Sequence, residues 1–335
     1  MKHILVVGGS RYFGKSLVTR LRDAGDEVTV LNRGSSAPPP GVGRLLADRD
    51  DEAGLRAALG GRDFDVVIDQ VCYTPLQAAV ARRVFAARTG RYVMTSTMEV
   101  YDPATLPAGS APHAVPVAEA ALDPGRPPLA PPFPDRQGPG PGTGTRTGTA
   151  SATGTGTSTG FSAATRYAPD SDAHAYAEGK RRAEAVFLRE PPFPFVSVRT
   201  AHVLGGGPAE FTGRLAHYVQ RIRTGRPVDV HQAPYGTSFI HHLEMAEFLD
   251  WTARHTFTGP VNAASHGAPD VLALCSTVAG QLGREPRYRV VGAGEAASPF
   301  SFDRAYAMDN GRAEGLGFPF GRVADWLPGA VAETA

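Results

Sequence analysis

The first hundred residues alternate between two hydrophobic periods, and that alternation constrains the fold more than anything else in the chain. Residues 4–7, Ile-Leu-Val-Val, are all apolar, as in a strand buried on both faces. Residues 13–21 then place Phe13, Leu17, Val18 and Leu21 at helical spacing. Strand-like runs recur at 27–31, 66–68 and 92–94, with helical stretches at 51–59 and 76–87. Strands that alternate with helices through short loops form parallel βαβ units. The expected class is therefore α/β, a Rossmann-type doubly wound parallel sheet.

The pattern stops after residue 101. Residues 138–160 hold eight Gly and eight Thr and no Val, Ile, Leu, Met, Phe, Tyr or Trp. Such a stretch buries too little apolar surface to offset its chain entropy. A disordered low-complexity insertion is expected at about 102–170. Helical spacing returns at 173–188, 211–224, 239–252 and 271–282, and a strand is expected at 195–199. Phe300, Phe302, Leu316, Phe318 and Trp326 mark an apolar tail. Residues 1–205 are thus read as a dinucleotide-binding domain interrupted by the insertion. Residues 206–335 are read mainly as a C-terminal substrate lobe, with some segments returning to the first domain.

Composition narrows the partners. With 34 Lys+Arg against 33 Asp+Glu the net charge is +1, which argues against nucleic acid as a partner. Cys72 and Cys275 lie far apart without metal spacing, which fits a reducing cytoplasm. The N-terminal apolar run is too short for a signal peptide, and no apolar stretch approaches the roughly 20 residues of a membrane span.

Four motifs carry chemistry. Gly8-Gly9-Ser10-Arg11-Tyr12-Phe13-Gly14 lies between a strand and a helix, where glycines let the backbone approach a pyrophosphate. The second strand ends in Asn32-Arg33 with no acidic residue for a ribose diol. Arg33 and Arg11 suit a 2′-phosphate, so NADP is favoured over NAD. Tyr176 and Lys180, spaced i and i+4, share one helical face. An ammonium beside a phenol lowers its pKa and lets it exchange protons near neutrality. Thr95-Ser96-Thr97 ends a strand, where a hydroxyl can hold a substrate oxygen. Each motif alone is common; their order in one chain is not.

Together they resemble the extended short-chain dehydrogenase/reductase superfamily, specifically the NAD-dependent epimerase/dehydratase family. Residues 198–205 (Val-Arg-Thr-Ala-His-Val-Leu-Gly), 239–246 (Phe-Ile-His-His-Leu-Glu-Met-Ala) and 313–318 are also similar to family segments. The resemblance implies a Ser/Thr, Tyr and Lys site on a Rossmann fold. On it, Tyr176 moves the proton, Lys180 tunes Tyr176 and holds the cofactor, and Thr97 orients the substrate oxygen, with Ser96 as the alternative hydroxyl. Gly8, Gly9, Ser10, Arg11, Tyr12, Phe13, Gly14, Asn32, Arg33, Asp48 and Lys180 would bind NADP or NAD. Asp48-Arg49 matches a family position beside the adenine, and Glu99 is a candidate extra acid/base. The implied function is an NAD(P)-dependent oxidoreductase or epimerase/dehydratase acting on a small hydroxyl or carbonyl substrate such as a nucleotide sugar, in a protein that forms a homodimer.

Two departures shape the alternatives. Arg11 replaces the usual middle glycine, as in a reductase-like subgroup with a Gly-Gly-x-Arg loop. Some relatives of that subgroup bind RNA, so the competing reading is a cofactor-binding RNA-binding or redox-sensing module with little turnover. Thr200 stands where the family usually has Pro. No metal is expected, because no carboxylate or Cys pair accompanies His241-His242 at ligand spacing.

Overall fold

A computed structural model describes residues 1–34, 36–106, 115–125, 172–189, 191–292, 295–305 and 307–335. Its strands are β1 (His3–Val7), β2 (Glu27–Asn32), β3 (Gly43–Leu46), β4 (Val66–Asp69), β5 (Tyr92–Thr97), β6 (Phe195–Thr200), β7 (His202–Leu204), β8 (Val228–Val230), β9 (Phe239–His241), β10 (Gly259–Ala263) and β11 (Tyr288–Val290). Its helices are α1 (Tyr12–Asp23), α2 (Glu52–Leu59), α3 (Pro75–Phe85), α4 (Asp172–Arg189), α5 (Arg214–Thr224), α6 (His242–Arg254), α7 (Val271–Leu282), α8 (Gly311–Gly315) and α9 (Val323–Thr334).

The central sheet has seven strands in the order β10-β6-β5-β4-β1-β2-β3, and every neighbouring pair is parallel. The order reverses between β1 and β4, and in open α/β sheets ligands bind beyond the strand C-termini at such a point. The all-apolar strands explain the double winding. Alternate residues of β1 enter opposite cores: Ile4 and Val6 pack with α1 residues Leu17, Val18 and Leu21 and with the C-terminal segments. Leu5 and Val7 pack with Leu55 of α2, Val84 of α3 and Phe187 of α4. Two further parallel pairs, β7–β9 and β8–β11, lie in the C-terminal part. The chain also returns to the main sheet late, as β10 pairs with β6.

Local signals set the element ends. Asp51 caps α2 by accepting the Gly54 N–H, and Thr74 caps α3 by accepting that of Gln77, ahead of Pro75 at the first turn. Two expected boundaries move. The helix expected from residue 211 begins at Arg214, after Gly213 in a left-handed conformation. The helix expected from 239 begins at His242, because Phe239–His241 pair with β7.

The expected insertion is also corrected at its start. Residues 102–106 and 115–125 belong to the packed structure. Asp102 pairs with Arg304 at 2.9 Å, and Val117 N donates to Ala307 O at 2.8 Å. Val117, Glu119 and Leu122 are buried. Their apolar residues are too sparse to show a period, but long-range partners hold them. The Gly/Thr-rich part, 138–160, lies outside the described residues.

Candidate active site

Thr97 is the last residue of β5, inside the sheet between β4 and β6. It is buried, and its Oγ1 accepts the Glu99 N–H at 3.3 Å, which starts the short turn 98–101. Helix α4 lays Tyr176 and Lys180 across this strand end. Thr97 lies close enough to the Tyr176 phenol to pull its pKa down in part. Lys180 is buried, donates from Nζ to Thr95 O at 2.8 Å, and stands 5.9 Å from the Tyr176 ring centre and 4.4 Å from that of Tyr73. All three residues expected to act together therefore meet at one strand end.

Gly179 explains how α4 comes so close. A Cβ at this position would overlap the Tyr73 carbonyl oxygen. The helix backbone thus rests directly on the loop after β4, which brings the Tyr73 and Tyr176 ring centres to 6.2 Å.

The electrostatics differ from the sequence expectation. Tyr176 leaves 38% of its surface open to solvent, yet desolvation is the largest influence on its hydroxyl. That desolvation raises the Tyr176 pKa; Thr97 lowers it in part, while Glu99 and Tyr73 add to the rise. The phenol therefore stays protonated at neutral pH, whereas a neighbouring ammonium by itself would have lowered its pKa. Lys180 moves the other way. Burial pulls it from 10.5 to about 8, against the pull of Cys72 and Asp69. Desolvation outweighs mutual charge effects because protein, not water, surrounds the ammonium and the phenol oxygen.

A buried network stiffens the floor. Arg199 and Glu184, both fully buried, pair at 2.7 Å. Ser96 Oγ donates to Glu184 at 2.5 Å, and Arg199 also donates to the Tyr101 hydroxyl at 2.8 Å. Ser96, the alternative hydroxyl, is thus engaged by Glu184. Glu99 is half-buried at the rim.

The glycine loop fits a dinucleotide. Gly8 and Gly9 have φ of 92° and 73°. A Cβ on Gly14 would overlap the Gln70 side chain and lie 2.8 Å from Gly9 Cα, so α1 starts close against the loop. No side chain caps α1 at Arg11, which leaves the first-turn N–H groups to an anion. Tyr12 has φ 51° and is buried; Phe13 is half-buried beside it, with ring centres 5.6 Å apart. Asn32 donates to Ser10 Oγ at 2.7 Å and accepts from Gly34 N at 2.9 Å, so it ties the β2 end to the loop. Arg11 and Arg33 are exposed. Asp48 is exposed and accepts the Asp50 N–H at 3.0 Å.

Sequence reasoning placed Arg49 with Asp48 beside the adenine and missed the carboxylate that holds it. Arg49 binds Asp69 through two bonds of 2.6 and 2.7 Å, and Tyr92 OH donates to the same carboxylate at 2.5 Å. This pair fixes the loop after β4 that supports Gly14, Gly179 and Lys180. Its members lie on different elements, so no spacing could announce it.

Residues 4–120 match the NAD dependent epimerase/dehydratase family. No curated protein matches the chain. Solved structures share its fold over almost the full length. A UDP-glucose 4-epimerase of Thermotoga maritima with UDP-glucose has a TM-score of 0.66 at 16% identity, covering 99% of this chain and 98% of that one. A UDP-glucose 4-epimerase of Thermus thermophilus with NAD has a TM-score of 0.61 at 18% identity, covering 99% and 98%. A dTDP-glucose 4,6-dehydratase of Bacillus anthracis with NAD has a TM-score of 0.66 at 14% identity, covering 99% and 96%. The family match thus covers the N-terminal segment, and the likeness over almost the full length is one of fold. The matched segment includes the glycine loop and Thr97, while Tyr176 and Lys180 lie outside it. Among the described residues no helix is long and apolar enough to cross a membrane.

Proposed function

We propose that the protein is an NAD(P)-dependent enzyme of the epimerase/dehydratase kind that acts on a carbon bearing a hydroxyl or carbonyl, with a nucleotide sugar as the substrate class. The observation that carries this is the meeting of Thr97, Tyr176 and Lys180 at the C-terminal end of β5. The nucleotide sugar follows from the solved structures of similar fold, one of which holds UDP-glucose.

A dinucleotide on the glycine loop supplies hydride transfer chemistry. The chain's own residues do the rest. Thr97 holds the substrate oxygen through its hydroxyl. Tyr176, kept protonated by the desolvation of its hydroxyl, gives its proton to that oxygen when a carbonyl is reduced and takes one back in the opposite direction. Lys180 sits beside Tyr73 and Tyr176 and biases the phenol by its charge. Gly8, Gly9, Gly14 and the open start of α1 would receive the pyrophosphate. Asn32 in place of a carboxylate, with exposed Arg33 and Arg11 nearby, favours a 2′-phosphate and hence NADP.

The test is native mass spectrometry of the purified chain, followed by titration with NADP and NAD. The expected result is saturable dinucleotide binding, tighter for NADP, with the preference reversed in Arg33→Asp. A chain that binds neither dinucleotide contradicts the proposal.

A further inference from the structure

In the sequence, His241-His242 stand without a carboxylate. The fold brings one. Glu333, on the last helix α9, lies beside the pair, and one potential ligand atom from each of the three residues falls within 4.8 Å of the others. We propose that His241, His242 and Glu333 form a divalent transition-metal site of the zinc class, which ties the glycine-loop side of the molecule to α9.

Four observations support this beyond proximity. First, the side chains are close without bonding one another: among the described residues no hydrogen bond or ion pair joins either imidazole to Glu333. All three ligand atoms lie within 4.8 Å of one another, close to the separation of atoms that share one zinc at bonds of about 2.0–2.2 Å. Second, the carboxylate is oriented. Its Oε2 accepts the Gly206 N–H at 2.8 Å, which leaves Oε1 for an ion and supplies the outer-shell support that such ligands use. Third, the rings are held by packing. His242 stacks on Tyr12 at 5.6 Å with 10° between planes, and His241 lies 5.4 Å from Trp326. Fourth, the neighbouring backbone is shaped to admit the rings. Gly205 and Gly206 have φ of 92° and 82°, and a Cβ on Gly205 would lie 2.6 Å from His241 Nε2. A side chain at that position would occupy the space of the ligand atom.

Two imidazoles and one carboxylate suit zinc, with a remaining position for water. The ligands come from the end of β9, the start of α6 and the end of α9, and Tyr12 of the glycine loop covers one of them. An ion here would fasten three segments that lie far apart in sequence.

The test uses the full chain after chelator treatment. Zinc chloride is titrated calorimetrically, and Co²⁺ is added separately to read its visible ligand-field bands. The expected result is one equivalent of zinc bound at about micromolar affinity or tighter, a raised unfolding temperature, and cobalt bands of a low-coordinate nitrogen/oxygen site. Glu333→Gln retains an acceptor for Gly206 yet should weaken zinc about a hundredfold, a loss of about 2.7 kcal/mol. His242→Ala should do the same, whereas His217→Ala, a histidine bonded to Ser298 elsewhere, should leave binding unchanged. No saturable binding, or parental affinity in both Glu333→Gln and His242→Ala, overturns the proposal and assigns any bound ion to scattered surface histidines.

Discussion

Gly179 rests against the carbonyl of Tyr73 with no room for a methyl group between them. This backbone contact sets the height of α4 over the end of β5, and so the distance from Tyr176 to Thr97. Gly179→Ala must push the helix outward. A misplacement of about 1 Å can cost roughly a hundredfold in rate, and overpacking of this kind costs about 1–3 kcal/mol. The expected outcome is a fall in kcat of tenfold or more (about 1.4 kcal/mol) with KM for the dinucleotide little changed, measured by steady-state kinetics beside urea unfolding.

The lysine predicts a pH dependence of stability. Lys180 titrates near 8 in the folded chain against 10.5 as its ordinary value. Between these values the unfolded chain binds more protons, so stability rises with pH across that window. Urea unfolding from pH 7 to 10 should show the unsubstituted protein gaining on the order of 2 kcal/mol relative to Lys180→Met. Parallel pH profiles for the two proteins would show that Lys180 is not held down by burial.

The buried pair under the site makes a third prediction. Glu184→Ala leaves the Arg199 guanidinium, which is fully buried, facing an empty space and removes the acceptor of Ser96. Breaking one side of such a pair costs about 3–5 kcal/mol. Denaturant titration should place Glu184→Ala that far below the parent. A loss under about 1 kcal/mol would mean that Arg199 finds solvent or another anion.

How much of this is legible in the sequence follows from where the signals lie. The glycine loop, Thr97, and the Tyr176/Lys180 pair can be read because each is local: one turn, one strand end, one helical face. The alternation that predicts the doubly wound sheet is local as well. What does not show is tertiary. Glu333 lies many elements from His241 and His242, and Arg49 meets Asp69 only through the sheet order. Val117, Glu119 and Leu122 are single buried residues within polar and Pro-rich sequence, so they read as part of the insertion. The direction of the Tyr176 pKa shift is lost because the sequence shows a neighbouring charge but not desolvation. The short run Phe239–His241 reads as helix, since three residues cannot distinguish a period of 2 from one of 3.6.

The most direct test of the Thr97–Tyr176–Lys180 site is the turnover of Tyr176→Phe. The protein is loaded with NADP or NAD, mixed with a panel of nucleoside diphosphate hexoses, and followed by the absorbance of reduced nicotinamide and by product analysis. Removing the hydroxyl deletes the proton donor while retaining the ring that packs near Tyr73. The predicted result is that Tyr176→Phe binds the dinucleotide as the parent does and turns over about a hundred- to ten-thousandfold more slowly. Turnover at the parent rate in Tyr176→Phe would contradict the role given to this hydroxyl.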